Sequence, residues 1–280
     1  MKKINGVHAP HRKNTAGLVP EEIPVPSEVT LPMSMHSGKP AKLVVNVGDS
    51  VKVGQLIGEA DGIVSSPVHA SVSGKIKKID DLDSITGKKS VSVTIESDGK
   101  QEICENITPP NITNKDEFIQ AVQDSGVVGL GGAGYPTNHK LTIKDTVQLD
   151  YILINGAECE PYITSDTRAM IDDAEYVLAG ALLMNEYLKP KNIVICIENN
   201  KPEAIKKMRE LCADVPNMEV RELPSSYPQG ERKVLYIISR DGSCRKADGL
   251  QTSAASLSTA RRSRSLLNTS RRVCRWFQGL

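Results

Sequence analysis

From residue 151 onward, short runs of consecutive apolar residues alternate with stretches of helical period, and that alternation admits few folds. YILI at 151–154 and IVICI at 193–197 are continuous aliphatic runs, the pattern of strands covered on both faces. Residues 166–188 read as one long helix, 201–212 as a second with Pro202 in its first turn, and 218–223 as a third strand. Strands separated by helices of ten or more residues cannot close as hairpins. They pair in parallel through crossovers, so the expectation is a three-layer α/β domain.

The texture upstream is different. Residues 36–96 hold short alternating Val/Ile runs (43–47, 51–53, 75–79, 91–95) cut by Gly48, Gly54, Gly58, Gly62, Gly74 and Gly87, the spacing of a small all-β sandwich or barrel. Asn114 followed by Glu117 forms a capping pair for a helix whose apolar stripe is Phe118, Ile119 and Val122 and whose stop is Gly126. Residues 1–35, punctuated by Pro20, Pro24, Pro26 and Pro32, read as an extended segment lying against another part of the protein. The chain therefore divides into 1–35 (extended), 36–100 (β-domain), 111–238 (α/β domain) and 239–280 (tail). With aromatic residues at 4%, both cores must be aliphatic.

Charge separates the tail from the rest. The whole chain carries a net charge of +1, which supplies no field for nucleic acid, but the last 41 residues hold nine basic side chains against two acidic ones. Their basic residues are almost all Arg, Ser and Thr accumulate, and no period persists. That is the expectation for a frameshifted, non-native end or for a disordered basic tail. No run of eighteen apolar residues exists and the first ten residues lack an apolar signal core, so a cytoplasmic chain with no membrane span is expected. The six cysteines contain no C-x-x-C pair, so neither zinc nor an iron–sulfur cluster is expected, and no metal site is assigned.

Two clusters could carry chemistry. The first is GLGGAGYPT at 129–137, followed by Lys140. Glycines at 129, 131, 132 and 134 let the backbone turn and bring successive N–H groups to an anion with no Cβ in the way, the makings of a phosphate cradle. The loop follows a helix and has no G-K-[ST], so it is neither a dinucleotide fingerprint nor a Walker loop. A purely structural turn is the competing reading. The second cluster is NGAECEP at 155–161, at the carboxyl end of the first parallel strand, where open α/β sheets bind ligands. Asn155, Glu158 and Glu160 could meet ring N–H groups, carbonyls or ribose hydroxyls; alternatively the two carboxylates cap the turn. Cys159 between them reads as a small packed residue in preference to a reactive thiol.

At these residues the chain resembles the RnfC family, the C subunit of the Rnf electron transport complex, and, more distantly, the flavin-bearing subunit of respiratory complex I. GLGGAGYPT with Lys140, NGAECEP, SDTR at 165–168 and YPQGE at 227–231 agree in order and spacing, as do GVHAP at 6–10, MHSGKPA at 35–41 and VHASVSGK at 68–75. The resemblance covers residues 4–235. It implies a complex-I-like α/β flavin and NADH domain preceded by a barrel-sandwich hybrid domain of biotinyl/lipoyl type. It further implies flavin mononucleotide (FMN) accepting a hydride from NADH. Gly129, Gly131, Gly132 and Gly134 would cradle the flavin phosphate, with Lys140 compensating charge and Asn155 holding the ring edge. Glu158 and Glu160 would form the catalytic, NADH-facing side, and Tyr227, Gly230 and Glu231 the far wall.

The implied partners are the other subunits of a membrane-associated complex and ferredoxin, at the inner face of the cell membrane, with no nucleic acid and no direct span. The family continues into a segment with cysteine-rich iron–sulfur motifs that this chain does not contain, and it carries two glycines before the late Glu where this chain has Gly230 alone. The alternative function is therefore a truncated, non-catalytic docking or nucleotide-binding fragment. In the β-domain the turn EADGI at 59–63 has no Lys to modify, so a docking module is expected there and not a swinging arm. His8, His36 and His69 are expected to be hydrogen-bonded histidines and not metal ligands.

Overall fold

The computed structural model describes residues 6–83, 89–130, 134–231, 234–235 and 254–256. They fall into two compact units: residues 21–139 form one, and residues up to 20 join those from 140 onward in the other.

The first unit is built on seven strands, β1 (Glu28–Pro32), β2 (Lys42–Leu43), β3 (Ser50–Val51), β4 (Leu56–Glu59), β5 (Val68–His69), β6 (Gly74–Asp83) and β7 (Lys89–Ser97). They make two antiparallel sheets, ordered β1-β7-β6-β3 and β2-β4-β5. Met33, Ile57, Ile76, Val93 and Ile95 are fully or almost fully buried between them, in a cluster without an aromatic side chain. β1 lies inside the stretch expected to be only extended: its residues pair from Glu28 opposite Glu96 to Pro32 opposite Ser92, because β7 offers a long free edge. Gly38, in the MHSGKPA segment, adopts φ +103, and a Cβ there would lie 2.1 Å from the Val64 carbonyl oxygen. Only glycine fits that crossing.

The same unit contains α1 (Lys115–Asp124) and reaches into α2 (Thr137–Leu141). Asn114 Oδ1 accepts from the Glu117 amide at 3.0 Å, and Glu117 Oε2 accepts in return from the Thr113 amide at 2.7 Å. The helix is thus capped reciprocally, one residue earlier than in the usual box. Gly126 ends it in the left-handed region at φ +70.

The second unit is a parallel sheet with its helices. β8 (Tyr151–Gly156), β9 (Asn192–Glu198), β10 (Met218–Leu223) and β11 (Ala254–Ser256) stand in the order β10-β9-β8-β11, every pair parallel. Consecutive residues Ile193, Val194, Ile195, Cys196 and Ile197 are all completely buried, as a strand covered on both faces requires. Burial pushes the Cys196 thiol up to about 12. The stretch read as one long helix is two, α3 (Ser165–Asp172) and α4 (Ala174–Leu188). Asp173 separates them with φ −122 and ψ 26, serving as the C-cap of one and the N-cap of the other. The Asp173 amide still donates to the Ala169 carbonyl while its own backbone leaves the helical region, a break that the apolar period does not register. α5 (Pro202–Cys212) follows β9 with Pro202 at its start. β11 falls within the patternless segment, whose other residues from 236 to 280 lie outside the described ones.

Ile195 has no exposed surface and sits in the middle of β9. Replacing it with Ala leaves a cavity between two covered faces, for a loss of about 3 kcal/mol in the urea denaturation of the full chain. A loss under about 1 kcal/mol would mean that the site relaxes as a surface strand does.

Candidate functional site

In the α/β unit, the loops leaving β8, β9 and β10 meet at the carboxyl ends of the strands. Asn155, near the end of β8, spends its amide on two of them: Oδ1 accepts from the Ala157 amide at 3.2 Å and Nδ2 donates to the Gly230 carbonyl at 3.1 Å. A Cβ on Gly230 would sit 3.2 Å from the Ala157 carbonyl oxygen, so the missing side chain is what lets this turn close on the strand end. The structure therefore brings Asn155 and Gly230 into contact. Tyr227 is half-exposed on the same turn, and its backbone pairs with Val7 through two hydrogen bonds of 2.8 Å. Glu231 is exposed and its Oε2 accepts from the Val234 amide at 3.0 Å.

Glu158 and Glu160 separate into different roles. Glu158 is 1% exposed and turned inward. Its Oε1 accepts from the Asp166 amide at 2.7 Å, and its Oε2 from the Thr167 hydroxyl at 2.8 Å and from Lys13 Nζ at 3.3 Å. Thr164, the N-cap residue of α3, makes no side-chain cap bond, so Glu158 supplies the anion to that helix start from outside the helix. Glu160 is partly exposed, and its carboxylate has no hydrogen-bond partner among the described residues. Cys159 lies between them. Burial pushes its thiol up, while the backbone N–H groups of Gly230 and Gln229 pull it the other way.

Three charged residues that the motif reading passed over complete this region. Glu198, at the end of β9, is 1% exposed; its Oε2 accepts from Lys201 Nζ at 2.6 Å and from the Glu158 amide at 3.2 Å, and its Oε1 has no partner among the described residues. Lys201 is buried beside it and also donates to Asn200 Oδ1 at 2.9 Å. With Gly156 opposite Ile197, ENNK at 198–201 leaves β9 where AECE at 157–160 leaves β8, the strand-end position at which open α/β sheets place ligands. For Lys13 there was no such signal. It lies far from these strands in the chain, and only folding brings its ammonium to the 158–163 loop.

The glycine-rich segment belongs to the other unit up to residue 139. The Gly129 amide donates to the Tyr135 carbonyl and the Thr137 amide to the Val127 carbonyl, both at 3.0 Å, closing the loop at its neck with Val128 bridged to Pro136. Gly131 and Gly132 lie outside the described residues. Gly134 has φ +64 and its carbonyl accepts from the Ser37 amide at 3.0 Å; a Cβ would meet the Met35 carbonyl oxygen and His36 Cα at 3.3 Å. At the exit of the loop, Thr137 is 8% exposed and its Oγ1 has no hydrogen-bond partner among the described residues. One turn later Lys140 is half-buried, makes no ion pair among the described residues, and has its pKa lowered by burial. An orphaned hydroxyl and an uncompensated cation on one short helix leave an unmet demand for an anion with hydrogen-bond acceptors. Among the described residues no three of His, Cys, Asp and Glu converge as a metal ligand set, and His36 Nε2 is taken by the Ser66 amide.

The family described as the RnfC barrel sandwich hybrid domain matches residues 1–100, and the one described as the Nuo51 FMN-binding domain matches residues 122–248. The C subunit of the Na(+)-translocating ferredoxin:NAD(+) oxidoreductase complex of Acetobacterium woodii is 39% identical over 234 residues, covering 82% of this chain and 53% of that protein. The corresponding subunit of the proton-translocating complex of Clostridium ljungdahlii is 38% identical over 235 residues, covering 82% and 51%. Its counterpart in the ion-translocating oxidoreductase complex of Pasteurella multocida is 36% identical over 238 residues, covering 83% and 28%. The chain spans about half the length, or less, of these relatives. Two domain matches in chain order, a barrel-sandwich unit and an α/β unit as the structure has them, together with these identities, make the chain a member of the RnfC family that corresponds to its N-terminal part.

Proposed function

We propose that this chain binds FMN and NADH and serves as the electron-entry part of a membrane-associated ferredoxin:NAD oxidoreductase complex. The single observation that carries the reading is the pair on α2, immediately after a glycine-rich loop: a buried Thr137 hydroxyl without a hydrogen-bond partner and a half-buried Lys140 without a counter-ion among the described residues. The FMN-binding domain match over the same stretch supports it. No described helix is long and apolar enough to cross a membrane. Attachment through partner subunits at the inner face of the cell membrane is part of the same proposal. Ferredoxin and the other subunits of the complex are the proposed partners, with iron–sulfur centres elsewhere in the assembly.

Each side chain then has a definite task. The glycine-rich loop and the Thr137 hydroxyl would hold the phosphate, with Lys140 as its counter-charge. Asn155 keeps one amide hydrogen and one lone pair beyond its two internal bonds, and with these it orients the ring edge. Glu160, whose carboxylate is otherwise unengaged, accepts from a ribose hydroxyl of NADH; Tyr227, Gly230 and Glu231 form the opposite wall. Glu158 acts from behind, holding the start of α3 and the loop that carries Glu160. The flavin supplies the conversion of a two-electron hydride into single electrons; the protein supplies orientation and tuning.

Lys140 gives a signed prediction. Its folded pKa lies below its unfolded value, so the unfolded chain holds the proton more tightly, and stability rises as pH climbs through the folded value toward 10.5. At pH 7 the charged form is a cost that a bound phosphate offsets. Without flavin, Lys140→Met should match or exceed the wild-type thermal midpoint at pH 7, whereas its FMN affinity should fall about tenfold or more in a fluorescence titration. A variant that is less stable without FMN and equally tight with it would place Lys140 in the packing instead. The function itself is tested by absorbance: the purified full chain mixed with FMN should retain a yellow chromophore that NADH bleaches without oxygen, and a chain that stays colourless after gel filtration would overturn the reading.

A further inference from the structure

The segment 6–16 crosses all three strand-end loops of the α/β unit. Val7 pairs with Tyr227 after β10, the His11 ring bridges Asn200 after β9 and Ser225 after β10, and the Arg12 amide donates to the Pro161 carbonyl after β8 at 2.9 Å. Thr15 and Thr164 share a hydroxyl–hydroxyl bond of 2.7 Å at the start of α3. The most buried contact of this strap is Lys13, whose side chain is 16% exposed. Its Nζ donates to the Glu158 carbonyl at 2.8 Å and the Glu160 carbonyl at 2.9 Å, reaches the Ile163 carbonyl, and lies 3.3 Å from Glu158 Oε2. An ammonium group has three protons and no acceptor. Surrounded by four oxygens, it occupies the place that a bound monovalent cation would take.

We propose that Lys13 is a positioning residue for nucleotide binding: its ammonium fixes the 158–163 loop in the conformation that presents Glu160, and the rest of the strap holds the neighbouring loops to the same frame. The inference rests on the assignment of an NADH site to this loop. The physical ground is the direction of the carbonyls. Three peptide oxygens of one six-residue loop converge on a single point, where they repel one another unless a cation lies between them; the Glu158 carbonyl has a second, longer donor in Lys201 Nζ at 3.4 Å. On the same loop Tyr162 is largely exposed and Glu160 partly so, whereas Glu158 is buried. The same ammonium sits against the carboxylate that caps α3, so its charge also keeps Glu158 in place. The loop and the helix start therefore depend on one side chain more than 140 residues away in sequence.

The test compares the FMN-loaded full chain with Lys13→Met, which keeps the apolar stem and removes the charge. NADH should bind about tenfold more weakly by titration while flavin content is retained. Amides of residues 159–166 should exchange with deuterium about tenfold faster, with β9 and β10 unchanged. A merely structural lysine would speed exchange through the whole unit or leave NADH affinity where it was, and either result overturns the proposal. If the wild-type chain binds no NADH, the functional reading falls, and exchange alone then decides: acceleration confined to 159–166 supports the loop-fixing role, and its absence overturns it. Should Lys13→Met fail to fold, His11→Ala combined with Thr15→Val removes the strap's exposed bonds and keeps the ammonium. A loosened 158–163 loop in that variant would overturn the assignment to Lys13, and an unmoved loop would support it.

Discussion

The carboxylate of Glu158 is where the α/β unit is joined. It accepts from the start of α3, from the Thr167 hydroxyl and from Lys13, and the amide of the same residue donates to the buried Glu198. One residue thus ties the end of β8 to the end of β9, to a helix N-terminus and to the N-terminal strap. A carboxylate this deeply buried is tolerable only with several donors aimed at it, and charge-assisted bonds to backbone N–H and ammonium groups are the strong kind. Glu198 and Lys201 repeat the arrangement one strand over, with the second oxygen of Glu198 left without a partner among the described residues. The strand ends are therefore held by charge inside a sheet otherwise composed of aliphatic side chains.

The barrel-sandwich unit is held differently. Its core is a set of Met, Ile and Val side chains between two small antiparallel sheets, and its shape depends on glycines where backbone meets backbone, as at Gly38 against Val64. Gly134 joins the glycine-rich segment to this unit through the Ser37 amide, so the loop that would receive a phosphate is anchored on a rigid support by one arm. Anchoring matters because a cradle of N–H groups helps an anion only if the groups are already turned toward it before binding.

Much of this was legible in the chain. Continuous aliphatic runs at 151–154 and 193–197 announced strands covered on both faces, and the helices between them required parallel pairing; β8, β9 and β10 are so arranged. Asn114 with Glu117 announced a helix start, and Gly126 its stop. The motifs at 129–137, 155–161 and 227–231 pointed to a redox family before any geometry was available. Other features had no local signature. Asp173 interrupts a helix whose apolar period continues across it, and β1 becomes a strand only because β7 lies beside it. From the motif NGAECEP, Glu158 and Glu160 looked equivalent, two residues apart on one loop.

Sequence by itself determined the two architectures, because side-chain periodicity and glycine spacing are local properties that limit which faces can be buried. It also determined which residue types stand at the ends of the parallel strands. The direction in which each of those side chains points was decided only by tertiary structure. Whether a carboxylate faces solvent or the interior depends on donors from remote segments, here the ammonium of Lys13 and the amide of Asp166, and no local pattern encodes where those arrive.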